Sequence, residues 1–475
     1  MTKPVTRRIT DAFLAHVPFA DAASAELPLG RLLRLGLFQV SVAMATTLMA
    51  GTLNRVMIVE LGVSAGLVAL MFSIPLLLAP ARALIGFKSD IHRSAFGWRR
   101  VPYLWNGTML QFGGLAIMPF ALLLLQGSHT GSLVPGRVGA ALAFFLTGAG
   151  AHIVQTAGLA LATDLATEKT RPRVVALLYV MLLLGTLASA LAFSAALQHY
   201  GPTRLVQVVQ GAALLSALLN VTALWGQEPR NRERAAHPPV QTPFRDAWRA
   251  FAGDRRAVRL LVAVGLGTAG FSMQDILLEP YGAQVLHLAV GQTSLLTALM
   301  AAGALAALAL AARHLSRGTD PMRLAGFGAV AGAFGFAAVT LASPIASAAL
   351  FRVGTFIIGF GGGLFSVTTL SAAMSLATGD RAGLVLGAWG AVQATCAGTA
   401  VALGGLLRDV LGGLAARGAF GEALANQTFG YTFVYHLEIA ALFAALIALG
   451  PLVAPASRGT ATTPAERFGL AELPG

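Results

Sequence analysis

The sequence predicts an all-α polytopic membrane protein with twelve transmembrane helices arranged as two six-helix repeats. The chain has 475 residues, of which 56% are apolar and only 11% charged, against about 45–50% and 25% in soluble domains. It contains roughly twelve apolar stretches of the ~20 residues that a helix needs to cross a bilayer. This composition excludes a water-soluble enzyme and a disordered chain. The stretches are too long for barrel strands, so they are predicted to be helices.

The predicted helices form two groups of six. The first group covers residues 35–58, 63–85, 103–125, 138–162, 174–197 and 204–225, and the second covers residues 258–280, 292–312, 324–342, 346–372, 383–407 and 430–452. The predicted units are an N-terminal segment (1–34), a bundle (35–225), a hydrophilic linker (226–257), a second bundle (258–452) and a tail (453–475).

The basic residues predict the orientation. Of the 33 Lys and Arg residues, 27 share one side if the N-terminus, the loops after the even-numbered helices and the C-terminus lie together. Five lie in the opposite loops, namely Arg137, Arg204, Arg352, Arg408 and Arg417. Since basic loops remain in the cytoplasm, both termini and the linker are expected there. The net charge of +13 therefore indicates membrane insertion and no nucleic-acid partner.

The two groups also repeat in sequence. LGVSAGLVALM (61–71) aligns with LAVGQTSLLTALM (288–300), and DLATEKTRPRVVAL (164–177) with SLATGDRAGLVLGA (375–388). Matching segments at matching loops indicate parallel repeats about an axis along the membrane normal, as in major facilitator transporters. The single cysteine, Cys396, allows neither an internal disulfide nor a thiolate metal site. The glycine run at 359–365 favours helix packing, and the absence of nucleotide-binding and metalloprotease motifs predicts that the chain is not an enzyme.

The loop after predicted helix 2, GFKSDIHRSAFGWRRVP, resembles the major facilitator signature Gly-x-x-x-Asp-Arg-x-Gly-Arg-Arg with an insertion. The residues that carry the resemblance are Gly86, Asp90, Arg93, Gly97, Arg99 and Arg100. A carboxylate here can accept hydrogen bonds from a helix N-terminus and from an arginine across the seam between the halves. A gating or structural role is predicted, and basic charge on the cytoplasmic side alone is the alternative.

Placing a polar or ionisable side chain inside a membrane-spanning stretch costs free energy, so residues of this kind are candidates for a structural or functional role. They are Asn54 and Arg55 in predicted helix 1, Gln274, Asp275 and Glu279 in helix 7, and Glu438 in helix 12. Asp275 and Glu279 are four residues apart, so a continuous helix would point both to one side. Arg55 lies at a similar depth in the repeat-related helix. An ion pair between Arg55 and these carboxylates across the outer part of the cavity is predicted, either as a structural lock or for handling a ligand or partner. For Glu438, a solvated helix end is the alternative to a functional role.

His152, in predicted helix 4, is flanked by small residues that leave room beside its ring. A neutral imidazole can be the axial ligand of a metallated tetrapyrrole. The alternative is a histidine that is simply hydrogen-bonded inside the bundle. No direct metal site is predicted.

Longer strings carry a resemblance to one family. They are PFADAASAELPLGRLLRLGLFQVSVAM, GTLNRVMIVELGV, APARALIGFKSDIHRSAFGWRRVPYLW, QFGGLAIMPFALLLL and GFSMQDILLEPYGAQVLHLAVGQT. Over residues 18–450 the chain resembles the bacteriochlorophyll delivery family (PucC/LhaA type) of the major facilitator superfamily, found in phototrophic bacteria.

The resemblance implies an assembly factor for light-harvesting complexes in the intracytoplasmic photosynthetic membrane. Its cargo would be bacteriochlorophyll, delivered to the antenna α and β polypeptides of the reaction centre–antenna complex (LH1) or of the peripheral complex (LH2). Chlorophyll synthase and the insertion machinery are further implied partners, with the lipid bilayer around the chain. Two alternatives remain open: a scaffold for antenna polypeptides without pigment, and a transporter of a tetrapyrrole or another small molecule.

Overall fold

The computed structural model describes residues 22–24, 27–77, 98–126, 133–167, 170–228, 254–376, 382–426 and 428–453. Across these ranges the regular structure is entirely helical. The helices are α1 (Leu29–Thr47), α2 (Ala65–Leu77), α3 (Val101–Leu125), α4 (Val134–Leu165), α5 (Arg171–Ala196), α6 (Pro202–Leu224), α7a (Arg255–Ser272), α7b (Leu278–Leu286), α8 (Val290–Leu315), α9 (Pro321–Ala342), α10 (Ala348–Leu376), α11 (Ala382–Ala416) and α12 (Thr428–Leu449). Of the described helical stretches, 11 are long and apolar enough to cross a membrane, and the described part of α2 is shorter. The predicted all-helical polytopic fold is confirmed.

The helix starts carry the residues that favour them. The first turns of α3, α4, α6 and α9 contain a proline, which loses nothing there because the first N–H groups have no partner within the helix. Asp254 Oδ1 accepts a hydrogen bond from the Arg256 N–H at 2.8 Å, and Asp320 Oδ1 accepts one from the Met322 N–H at 2.9 Å. These two carboxylates cap α7a and α9.

Helices 1 and 7, which occupy equivalent places in the two repeats, are both irregular. After Thr47 the first helix continues as π-helical turns at Leu48–Leu53 and Val56–Glu60. The predicted continuous helix 7 is wrong: α7a ends at Ser272, a 3-10 turn covers Met273–Ile276, and α7b follows. Interrupted helices at repeat-related positions are typical of binding sites in transporters.

Helix α10 packs through its glycines, as the sequence predicts. A Cβ atom at Gly328 of α9 would lie 2.8 Å from the Gly361 carbonyl oxygen, and one at Gly361 would lie 2.6 Å from the Gly328 carbonyl oxygen. On the neighbouring side of α10, a Cβ at Gly363 would lie 2.8 Å from the Ala304 Cα of α8. The backbones of α9 and α10 approach this closely only because both Gly328 and Gly361 lack a side chain.

The N-terminal half (α1–α6) and the C-terminal half (α7a–α12) meet where α2 packs on α11 and α5 packs on α8. The first helix ends at Glu60, after its π-helical turns, and α8 begins at Val290. We call the end of the bundle that contains these two points the distal end. Three hydrogen bonds join the halves there: Thr52 Oγ1 with Ser294 Oγ (3.2 Å), the Gly66 N–H with Asp409 Oδ2 (2.6 Å), and Ser194 Oγ with the Gly291 carbonyl oxygen (2.7 Å). The distal end is therefore closed by contacts between the halves.

Candidate functional site

A cavity of about 290 Å³ lies between the two halves. We call it the central cavity. Helices α1, α4 and α5 line it from the N-terminal half, and α8, α10 and α11 line it from the C-terminal half. Its apolar walls include Leu159, Val175, Leu308 and Leu370. None of the residues that line it in the described part of the chain carries a charge, so it favours a neutral, largely apolar occupant.

A few polar side chains face the central cavity. Gln39 of α1 is 2% exposed, and its Oε1 has no hydrogen-bond partner among the described residues. The Nε1–H of Trp389, on α11, is likewise buried without an acceptor in that part of the chain. Gln393 Nε2 donates to Ser366 Oγ at 3.4 Å, which joins α11 to α10. Each half thus contributes to the cavity wall a residue with a buried, unpartnered polar atom.

His152 lines a second, smaller cavity of about 130 Å³ inside the N-terminal half, between α1, α2, α4 and α5. Gln155 and Leu182 line both cavities, so the two spaces adjoin. Residues 152 and 155 are three apart on α4 and therefore share one face of that helix. The candidate ligand His152 consequently lies next to the central cavity.

No salt bridge within 4 Å joins Arg55 to Asp275 or Glu279 among the described residues, although the Arg55 charge still acts on the Glu279 carboxylate across the seam between the halves. Arg55 Nη1 pairs with Glu60 Oε1 at the end of the same helix. The Arg55 side chain is 6% exposed and that of Glu60 35%, so the pair lies at the edge of the buried region. The π-helical turn that ends helix 1 brings Glu60 within reach, and Arg55 thereby finds its partner locally.

Asp275 and Glu279 do not act as a pair either. Because the helix is interrupted between them, their four-residue spacing no longer places them on one face. Asp275 Oδ1 accepts a hydrogen bond from Gln274 Nε2 at 2.7 Å. Glu279 is 4% exposed, and its Oε1 accepts from Thr297 Oγ1 of α8 at 2.9 Å. A Cβ at Gly51 of the first helix would lie 2.5 Å from the same oxygen, so Glu279 packs directly against the opposite half.

Glu438 is fully buried, which overturns the interpretation of a solvated helix end. Its Oε1 accepts a hydrogen bond from the Gln274 backbone N–H at 2.8 Å. That N–H lies in the 3-10 turn between α7a and α7b, where the regular helical pattern is interrupted. Glu438 of α12 therefore stabilises the break in helix 7.

Asn54 is fully buried as well and bonds within its own helix, where its Nδ2 donates to the Ala50 carbonyl oxygen. The predicted polar cluster thus divides into three local groups. One is the Arg55–Glu60 pair with Asn54 next to it in sequence, another is Gln274 with Asp275 and Glu438, and the third is Glu279 against Gly51 and Thr297.

Sequence reasoning missed Asp409, whose bond to the Gly66 N–H caps α2 from the opposite half. Arg408 was expected in a loop, but α11 continues to Ala416, so Arg408 lies inside the helix. It donates to Asp409 Oδ1 at 2.8 Å and to Gln284 Oε1 at 2.6 Å, and its guanidinium lies 4.5 Å from the centre of the Tyr431 ring. The signal that could have indicated Asp409 was its position as an acidic residue at the end of a long apolar stretch.

Two residues of the loop signature lie within the described residues. Arg100 Nε donates to Asp164 Oδ2 at 3.1 Å, and Arg99 Nη2 lies 3.6 Å from the same oxygen. Glu228, which sequence reasoning did not single out, accepts hydrogen bonds from the backbone N–H groups of Arg99, Arg100 and Val101 at 2.7–3.2 Å and so caps α3. The other positions of the motif, Gly86, Asp90, Arg93 and Gly97, lie outside the described residues.

Comparison with known proteins places this geometry in context. The family model described as PUCC protein matches residues 52–457. Protein PucC of Rhodovulum sulfidophilum is 53% identical over 417 residues, which cover 86% of this chain and 92% of the relative. The bacteriochlorophyll synthase 44.5 kDa chain of Rhodobacter capsulatus is 27% identical over 80% of this chain and 88% of the relative.

Among solved structures, a bacterial homologue of the iron transporter ferroportin in an inward-facing state superimposes with a TM-score of 0.65. The match covers 89% of this chain and 98% of that chain at 14% sequence identity. The predicted arrangement of a major facilitator transporter is thereby confirmed at the level of the fold.

Proposed function

Because this chain belongs to the PUCC protein family, we propose that it is a light-harvesting complex assembly factor of a phototrophic bacterium. It binds bacteriochlorophyll and delivers the pigment to antenna α and β polypeptides during assembly of their complex. The family match and the relative whose name includes bacteriochlorophyll synthase support the choice of pigment. The chain carries out no catalytic step in this proposal.

The observation that carries the proposal is the uncharged central cavity. Ligand pockets in proteins have volumes of roughly 300–1,000 Å³ and are mostly apolar, with a small number of polar groups that set orientation. At about 290 Å³, the central cavity lies just below the lower bound of that range. The tetrapyrrole ring lies there in our proposal, with its hydrocarbon tail between the helices, and His152 in the adjoining cavity is the candidate axial ligand of the pigment magnesium.

The proposed setting is the intracytoplasmic photosynthetic membrane, with both termini in the cytoplasm and the distal end facing the periplasm. The basic residues support this orientation. The antenna polypeptides and the reaction centre–antenna or peripheral complex are the proposed partners, together with chlorophyll synthase and the insertion machinery. Pigment would then pass to the antenna helices inside the bilayer, which suits a cargo with a hydrocarbon tail.

Two matched glycine variants test the proposal. A Cβ atom at Gly390, which lines the central cavity, would meet no heavy atom within 4 Å, and the same holds for Gly387 one turn earlier, which is exposed and is not a lining residue. Gly390→Leu is expected to fill the cavity and to lower the bound pigment about tenfold. Gly387→Leu, on the same helix, should leave the pigment content unchanged.

The measurement is the near-infrared absorption of protein purified in mild detergent from pigmented membranes, normalised to protein. We expect the wild type to carry less than one pigment per chain, because a carrier must also release its cargo. Wild-type protein that is free of pigment and binds none on titration would refute the carrier and favour the scaffold. Equal pigment loss in both variants would move the binding site away from the central cavity.

A further inference from the structure

Two residues that line the central cavity from opposite halves each contain a buried polar atom that lacks a hydrogen-bond partner in the described part of the chain. One such atom is the Trp389 Nε1–H on α11, and the other is Gln39 Oε1 on α1. Gln39 is 2% exposed, and both residues are walls of the same space. Buried polar groups in proteins are nearly always hydrogen-bonded, so the unpartnered Trp389 donor at the cavity wall indicates an atom that a ligand completes.

The chemistry of these atoms restricts the ligand. An indole nitrogen is a hydrogen-bond donor only, so Trp389 requires an acceptor. A charged acceptor would be desolvated here without a counter-charge, because the described lining of the cavity is uncharged. The acceptor is therefore neutral, and a carbonyl oxygen on the edge of a flat apolar ring fits that description. Bacteriochlorophyll carries such groups as its acetyl and ring keto carbonyls.

We propose that Trp389 is the orienting residue of the pigment site and donates a hydrogen bond from Nε1 to a peripheral carbonyl of the tetrapyrrole. This inference rests on the proposed function and specifies how its cargo is recognised. Gln39 Oε1 is an acceptor and the ring carbonyls cannot donate to it, so Trp389 alone supplies the orienting hydrogen bond. Because both halves line the cavity, a movement that separates α1 from α11 opens the site and favours release of the ring.

The inference predicts a spectroscopic change in Trp389→Phe, which keeps an aromatic ring but lacks the donor. The probe is bacteriochlorophyll a added to the purified protein. We expect about tenfold weaker binding, the effect of losing one neutral hydrogen bond. In the resonance Raman spectrum, one carbonyl stretching band should move up to the frequency of a carbonyl without a donor. Trp389→Tyr, whose hydroxyl can donate, should restore the lower frequency at least in part.

The matched control is Trp105→Phe on α3, because Trp105 is 48% exposed on the surface of the bundle and is not a lining residue of the central cavity. It should change neither affinity nor the carbonyl bands. Bacteriochlorophyll a with a vinyl group in place of the acetyl group, which removes that oxygen, identifies the acceptor. If Trp389 binds the acetyl group, the vinyl pigment binds wild type and Trp389→Phe equally, and if it binds the keto group, the tenfold difference persists.

The outcomes distinguish a failure of the role of Trp389 from a failure of the carrier function. Pigment binding by the wild type together with unchanged affinity and carbonyl bands in Trp389→Phe would overturn the role of Trp389 and leave the carrier function standing. If the wild type binds no bacteriochlorophyll a, the proposed function fails and this inference fails with it. If Trp389→Phe does not fold, the wild type provides the test, because carbonyl bands of its bound pigment at the frequency of a free carbonyl would refute the hydrogen bond.

Discussion

Replacing Gly361 by leucine is expected to prevent assembly of the C-terminal half. A Cβ at this position would lie 2.6 Å from both the Gly328 carbonyl oxygen and the Gly332 nitrogen of α9. These are backbone atoms, so no side-chain rotation can relieve the contact, and α9 must move away from α10. We expect a loss of about 4–5 kcal/mol in stability, at the extreme of single substitutions.

The measurement for Gly361→Leu is thermal unfolding in mild detergent, together with the amount of protein in the membrane. Gly413→Leu on α11 is the control, because a Cβ there meets no heavy atom within 4 Å. It adds the same side chain to the surface of the bundle and should shift stability by less than about 0.5 kcal/mol. Similar stability of the two variants would show that the glycines do not set the approach of α9 to α10.

The second large effect is expected at Glu438. In Glu438→Ala the Gln274 N–H of the 3-10 turn loses its acceptor, and a fully buried side chain leaves a void. An orphaned buried donor costs about 1–3 kcal/mol and a void adds to it, so we expect a total of about 3–4 kcal/mol. Glu438→Gln keeps a carbonyl oxygen at nearly the same place and should retain most of the stability.

Thermal unfolding of these two variants distinguishes an acceptor from a charge. If Glu438 acts by accepting the Gln274 N–H, the order of stability is wild type, then Gln slightly lower, then Ala far lower. If Gln is as damaging as Ala, the ionised carboxylate is what matters, and the account of the helix break is wrong. A level of folded Glu438→Ala protein equal to wild type in the membrane would contradict the account as well.

Hydropathy predicted the helices well because the backbone N–H and C=O groups of each long apolar stretch must be hydrogen-bonded within that stretch when it crosses the bilayer. It did not predict the break at Met273–Ile276, although Pro280 in the first turn of α7b has no N–H to donate to the Ile276 carbonyl oxygen and so disfavours a continuous helix through this segment. The acceptor that stabilises this break, Glu438, lies on α12 and is more than 160 residues away. The local proline and the tertiary contact to Glu438 together therefore set the break, and a hydropathy pattern reports neither of them.

The ion pairs were harder to predict for a related reason. Equal depth in two repeat-related helices made Arg55 and the carboxylates of helix 7 look like partners. The π-helical turns of the first helix change the direction of its side chains, and Arg55 pairs with Glu60. Closure of the distal end is instead made by hydrogen bonds of hydroxyl, backbone and carboxylate groups, with Thr52–Ser294 and Gly66–Asp409 as examples. A lock between the halves exists, but it is not the predicted ion pair.

The central cavity was foreseen only as a property of the fold. Its polar atoms come from residues that no sequence pattern assigned to a site, although Gln39 lies in one of the strings that carry the family resemblance. Their unpartnered state depends on which helices meet around the cavity. His152 is the exception, because the small residues around it indicated space beside the ring, and it lies on the wall of the adjoining cavity.

Transfer of pigment from the loaded protein to antenna polypeptides tests the central claim most directly. Protein carrying bacteriochlorophyll a would be mixed in mild detergent with pigment-free α and β polypeptides, and near-infrared absorption would be followed over time. We predict loss of the band of protein-bound pigment and growth of the red-shifted band of assembled antenna, faster than from the same pigment free in detergent and slowed in Gly390→Leu. Assembly at the same rate with and without the protein would contradict delivery.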